Sequence, residues 1–234
     1  MKALTKLTKF QKTIAAVFIL VEAALYCAYM ALDIAHAADT TWIKFAAVAL
    51  CFVVSFAYLR EGVSFPNLLI NTALLLTLAA DVFLLVLNRE HQTGILLFIA
   101  VQALYFGYLL HISKPCGKRR LTALLLARLP VLAGASALLF WTADAVIITA
   151  AVYILMSVCN IINCFVKPKA YLLGAGLILL LLCDLSVGIY NMRNFVSFPV
   201  PEPLCAFSEI GMWLFYLPSQ VCVALNNLKL KKSV

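Results

Sequence analysis

A chain of 234 residues that is 65% hydrophobic and only 12% charged, with a mean hydropathy of +1.03, is far from a soluble domain, where roughly 45–50% of residues are apolar and about 25% charged. A globule of this mass still exposes a large area, so the surplus must face lipid, and the length suits one membrane domain with no separate soluble one. The net charge of +8 does not mark a nucleic-acid binder: the basic residues sit in short loops and at the termini, where they act as topology signals and contacts for anionic headgroups.

A bilayer core takes about 20 apolar residues per helix, and the sequence predicts eight such spans, an all-α polytopic transmembrane bundle. The first is Thr13–Leu32. Four lysines, the apolar run and Ala35-His36-Ala37 imitate a cleaved secretory signal, but the run is longer than the usual h-region and contains Glu22. It is read as a retained helix. Next come Trp42–Leu59, Pro66–Leu87, Thr93–Ile112, Leu121–Trp141, Ala145–Val166, Ala170–Tyr190 and Leu204–Leu225. Most breaks carry charge and turn residues, as in Arg60-Glu61-Gly62, Lys114-Pro115-Cys116-Gly117-Lys118 and Lys167-Pro168-Lys169; the Trp141–Asp144 break is the shortest.

Lysine and arginine set the orientation. One side collects fourteen, from Lys2, Lys6, Lys9 and Lys12 through Arg60, Lys114, Lys118, Arg119, Arg120, Lys167 and Lys169 to Lys229, Lys231 and Lys232. The other holds Lys44, Arg89 and Arg193, while Arg128 lies inside the fifth predicted span. By the positive-inside rule both termini are cytoplasmic. The eight cysteines include no Cys-x-x-Cys, and His36, His91 and His111 fall in loops or at helix ends. The cysteines therefore read as small buried hydrophobes, and no metal or other cofactor is expected.

Ionisable groups at membrane depth are expensive and default to functional candidates: here Glu22, Asp81, Arg128, Asp184 and Glu209. Arg128 lies near the cytoplasmic end of its span and is expected to snorkel. Asp81 and Asp184 each stand six residues before the outer end of an outward-running span, about 9 Å below the boundary at ~1.5 Å per residue. Each is followed seven residues later by an asparagine, Asn88 and Asn191, on the same helix face. The separation is close to half the chain, which points to a parallel 4+4 repeat of the kind found in some transporters. Other polar residues form single-face stripes: Glu22, Tyr26, Tyr29 and Asp33; Gln102 and Tyr105; Ser157 and Asn160; Glu209, Trp213, Tyr216 and Gln220. Interhelical hydrogen bonding accounts for such stripes at about 0.6 kcal/mol per bond. Two carboxyls sharing one low-dielectric chamber hold one proton between them, the state an acid/base pair requires.

The chain from the third predicted span to the last resembles the YhhN-type, or lysoplasmalogenase, membrane family. The resemblance rests on Thr77 through Asp81 to Leu84, on Gly94, Phe98, Gln102 and Tyr105, on Gly174-Ala175 leading to Cys183-Asp184-Leu185-Ser186, and on Phe215-Tyr216-Leu217-Pro218-Ser219-Gln220. The family commonly has histidine where Gln102 stands, glycine where Ala80 stands and serine where Cys183 stands. Glutamine orients a substrate or water but does not transfer protons near neutral pH. The resemblance implies hydrolysis of the vinyl-ether bond of a lysolipid, with Asp81 and Asp184 jointly as acid and base. Gln102, Tyr105, Glu209, Tyr216, Gln220 and Asn88 are expected to line the substrate site, and the partners are the bilayer and the lysolipid, in a plasma membrane.

Two other classes fit the same residues. A proton-coupled carrier uses intramembrane acids in the same way, although no span carries a central Gly/Pro break, with Pro130 and Pro218 single and near helix ends. A non-catalytic lipid-binding protein is the third, favoured by glutamine at position 102.

Overall fold

A computed structural model describes residues 9–57, 64–113, 145–166, 170–192 and 201–228. The predicted span Leu121–Trp141 with Arg128, and the breaks at Arg60-Glu61-Gly62, Lys114–Lys118, Trp141–Asp144 and Lys167–Lys169, lie outside these residues. Every regular element among the described residues is helical: α1 (Lys9–Ile34), α2 (Thr41–Ser55), α3 (Phe65–Asp81) continued by a π-helical turn (Val82–Val86), α4 (His91–Ser113), α5 (Ala145–Val166), α6 (Tyr171–Met192) and α7 (Glu202–Leu228).

Five of these, α1, α3 with its π turn, α4, α5 and α6, are long and apolar enough to cross a bilayer. Large apolar side chains stand outward on them and on α2, with Leu20 71%, Val53 62% and Ile162 57% exposed, an arrangement that only lipid makes favourable. The chain is an integral membrane protein built as a helical bundle. α2 is apolar but has only 15 residues. α7 has 27 and is more polar, because it packs against α1, α2, α3 and α6 and turns Ser208, Tyr216, Ser219, Gln220, Asn226 and Asn227 into the interior. Its polarity belongs to a central helix rather than to one that faces hydrocarbon.

Local chemistry explains the joints. α1 stops where His36 takes a left-handed backbone (φ 47°) and the Ala37 amide reaches back to the Leu32 carbonyl at 3.0 Å, a Schellman-type end with histidine in the place usually given to glycine. At the start of α2, Asp39 accepts the Thr41 amide at 2.9 Å, and the Thr41 hydrogen bonds hold that exposed carboxyl below its usual pKa. The most extensive packing joins α6 to α7. Glycines permit it: a Cβ on Gly176 would stand 3.1 Å from the Ser219 carbonyl oxygen, and one on Gly211 would stand 2.7 Å from Ser186 Oγ. Small residues that let backbones approach are how membrane helices associate without a hydrophobic driving force.

Two helices are interrupted where the sequence reading expected regularity. Pro218 lies well inside α7, with ten helical residues after it, rather than near a helix end. Its missing N–H leaves the Leu214 carbonyl without an intrahelical donor, and the Tyr26 hydroxyl of α1 supplies one at 3.1 Å. α3 passes into π-helix directly after Asp81, with the Leu87 amide on the Val82 carbonyl at 2.8 Å. π turns cluster at functional positions.

Candidate functional site

The two bundle ends are distinguished by residue: Asp33, in the last turn of α1, marks one, and Asn227, late in α7, marks the other. Asp81 closes the regular part of α3 and is 4% exposed. The Tyr216 hydroxyl of α7 donates to it, lying 2.6 and 2.8 Å from its two carboxylate oxygens. Asp184, in unbroken α6, is half-buried. The Tyr153 hydroxyl of α5 donates to its Oδ2 at 2.7 Å, and Gln102 of α4 lies beside that same tyrosine. Asn160 fixes Gln102 in turn, its Nδ2 donating to the Gln102 side-chain and main-chain oxygens at 2.7 and 2.9 Å. Each aspartate thus takes a tyrosine hydroxyl from a neighbouring helix.

The two pairs lie near one another in the bundle. The Cys183 thiol lies within electrostatic range of both Asp81 and Asp184, and Tyr105 within range of Tyr216. Tyr105 stands one turn from Gln102 on α4, so one helix face touches both pairs. Gln220, one turn beyond Tyr216, is fully buried, and neither its amide oxygen nor its nitrogen has a hydrogen-bond partner. Tyr216, with Tyr105 nearby, thus stands on the Asp81 side, and Gln102 stands beside the Tyr153 of the Asp184 pair.

Glu209 and Asn88 are placed elsewhere. Glu209 is exposed and lines a cleft of about 520 Å³ at the Asp33 end, with Asp33, Lys44, Tyr190 and Trp213. It sits nearly two turns from Tyr216, about 10 Å along the helix axis at ~1.5 Å per residue. Asn88 is exposed with a left-handed backbone (φ 46°). The π turn adds a residue to the coil between it and Asp81, which undoes the seven-residue register that put both on one face. Asn191, by contrast, continues regular α6 and bonds the Val187 carbonyl at 2.9 Å.

An aromatic wall stands between the cleft and the Asp81–Tyr216 pair. Lys44, nearly buried, pairs with Asp33 at 2.7 Å and lies 4.4 Å from the Trp213 ring centre, a cation–π distance. Trp213 packs edge-on against Tyr216, with centroids 5.6 Å apart, and Tyr29 donates to the Trp213 carbonyl at 3.2 Å.

Several participants escaped the sequence reading. Tyr153 lies one turn from Ser157 on the face already marked as polar, so the signal was present. Glu22 was counted as an intramembrane acid without a place; it is 3% exposed, accepts the Cys51 thiol at 3.4 Å on Oε1, and its Oε2 has no partner. Cys51, within range of Asp81, is therefore a donor and not only a small hydrophobe. Asn67 and Asn71 of α3 hold Asn227 of α7: Asn67 Nδ2 reaches the Asn227 carbonyl and side-chain oxygens at 3.1 and 2.9 Å, and Asn227 Nδ2 donates to Asn71. No three His, Cys, Asp or Glu side chains gather as metal ligands among the described residues.

Fold and site together define a polytopic helical membrane protein whose interior holds two aspartate–tyrosine pairs. No family model, curated protein or solved structure matches the chain.

Proposed function

We propose that this protein is an intramembrane hydrolase that cleaves the vinyl-ether bond of a lysolipid, within an eight-span bundle whose two termini are cytoplasmic. The observation that carries the reading is the pairing of each intramembrane aspartate with its own tyrosine hydroxyl from a neighbouring helix. The motif resemblance to the lysoplasmalogenase family supports it, as does the charge bias that puts the Asp33 end outside. A plasma membrane is the corresponding location.

The chemistry balances with two carboxyls and one water. The protonated carboxyl gives its proton to the vinyl carbon distal to the ether oxygen, leaving an oxocarbenium ion at the other. The ionised carboxyl takes a proton from water as the water oxygen bonds that cation, forming a hemiacetal. In the collapse the hemiacetal hydroxyl returns its proton to the first carboxyl, the C–O bond breaks, and the second carboxyl protonates the departing glycerol oxygen. Fatty aldehyde and glycerophospho-base leave, and both aspartates are restored, in the division of labour used by glycosidases. A single-tailed lipid reaches half-buried Asp184 sideways between helices. Its headgroup lies in the cleft above, phosphate toward Lys44 and cationic amine toward Glu209.

A second reading, a proton-coupled carrier, draws on the interruptions of α3 at Asp81 and of α7 at Pro218, since broken helices frame carrier sites. Purified protein incubated with lysoplasmalogen separates the two. Aldehyde release by the wild type, reduced about 100-fold or more in Asp81→Asn and Asp184→Asn, is expected. No release, or undiminished release from both variants, rejects the hydrolase, and substrate-driven proton flux in proteoliposomes lost in the same variants establishes the carrier.

A further inference from the structure

α3 and α7 run antiparallel and are pinned together at two levels. Asp81 meets Tyr216 at one, and Asn67 and Asn71 meet Asn227 at the other. On α4, Tyr108 accepts Asn226 Nδ2 at 3.2 Å, close to the second level. Between the levels the interior is polar and unsatisfied. Thr77 Oγ1, Ser219 Oγ, the Tyr105 hydroxyl, both amide atoms of Gln220 and Asn71 Nδ2 are buried without a hydrogen-bond partner.

Helical geometry puts these atoms in one interval. Thr77 is one turn from Asp81 toward Asn71, Gln220 one turn from Tyr216 toward Asn226, and Tyr105 one turn from Tyr108 toward Tyr216. Six residues separate Thr77 from Asn71 and Gln220 from Asn226, about 9 Å of helix axis at ~1.5 Å per residue. Two or three waters spaced at about 2.8 Å bridge that length. The other residues at this level are apolar, with Leu74, Ala73, Val223 and Ala224 all fully buried, so the polar atoms have water and no charged group to turn to. Buried polar atoms in native proteins are satisfied by protein or by ordered water, and here the protein satisfies the ends but not the middle.

We propose that ordered water occupies this interval and joins Asp81 to the Asn227 end of the bundle through a continuous hydrogen-bonded path along α3 and α7. In the orientation proposed above that end is cytoplasmic, so water and protons reach the carboxyl from the face opposite the headgroup cleft. The path rests on the packing and not on the hydrolase reading. That reading gives it a use, because a hydrolase sealed in lipid needs a source of water.

Microsecond hydroxyl-radical footprinting of the full chain in lipid nanodiscs, without substrate, tests it, because radicals formed from bound water oxidise the side chains that water touches. Tyr105 is fully buried, yet its labelling is expected to reach at least a tenth of that of exposed Tyr171 and to fall at least fivefold in Thr77→Val/Gln220→Leu. The near-isosteric Thr77→Val and Ser219→Ala single variants, each expected to lower it at least twofold, keep the test decisive if the double variant does not fold. Tyr105 unlabelled in the wild type, or labelled equally in every folded variant, overturns the path. A protein inert toward vinyl ethers but labelled at Tyr105 retains the path and loses the hydrolase.

Discussion

Asp81 and Asp184 begin the same short pattern in sequence, yet the protein builds two different environments around them. Asp81 ends a regular helix at a π turn, is sealed between α3 and α7, and has both oxygens on one tyrosine hydroxyl. Asp184 stands in an uninterrupted helix, half-buried, with one oxygen on a tyrosine that neighbours the Asn160-bonded Gln102. The first carboxyl depends on a single donor for its polar partner. The second is less enclosed, and its tyrosine has a polar neighbour in Gln102. Two aspartates that open the same short sequence pattern thus sit in environments that helix geometry makes different.

The largest effect expected from this contrast is at the tyrosines. Tyr216→Phe removes the donor to a sealed carboxyl, so aldehyde release should fall about 100-fold and stability by about 1–3 kcal/mol. Tyr153→Phe leaves a carboxyl that is less enclosed than Asp81, and a loss of about 3- to 10-fold is expected. Turnover and thermal unfolding in detergent measure both; equal losses would remove the distinction.

Gln102 sharpens the Asp184 side. Gln102→Leu should lower release about fivefold and have little further effect in a Tyr153→Phe background, since neighbours in one network are non-additive. Gln102→His, which supplies an imidazole that transfers protons near neutral pH, should raise release above wild type. Full additivity of Gln102→Leu with Tyr153→Phe would mean that the glutamine does not act through the tyrosine.

The smallest effect separates two glycines of α6. Gly176→Ala pushes a methyl against the Ser219 carbonyl and Cys222, while Gly188→Ala meets nothing within 4 Å. The first should lose about 1 kcal/mol, and the second should be neutral or gain about 0.5 kcal/mol from helix propensity, as read by thermal unfolding. A neutral Gly176→Ala would show that the α6–α7 seam is looser than its geometry indicates.

Much of the site was legible because helical periodicity fixes faces: Glu22, Tyr26 and Tyr29 on α1, Gln102 and Tyr105 on α4, and Tyr216 and Gln220 on α7 all turn inward. Asn67, Asn71, Thr77 and Asp81 share one face of α3 and could have been read the same way. Periodicity fails where the helix itself changes pitch, so the π turn that carried Asn88 off the Asp81 face left no mark in the residues. Nor does it report which face meets which partner. Glu209 shares a stripe with Tyr216 but rises into a cleft of its own, and Tyr26 serves the carbonyl freed by Pro218, a pairing between opposite ends of the chain.

A double-mutant cycle on aldehyde release from lysoplasmalogen, using Asp81→Asn, Asp184→Asn and the combined variant in detergent-purified protein, puts the shared site to the most direct test. Two carboxyls acting in one event give three variants with nearly the same residual rate, because either loss already removes the event. Multiplying losses would mean that the aspartates work in separate places, and release from the combined variant at the wild-type rate would mean that neither performs the chemistry.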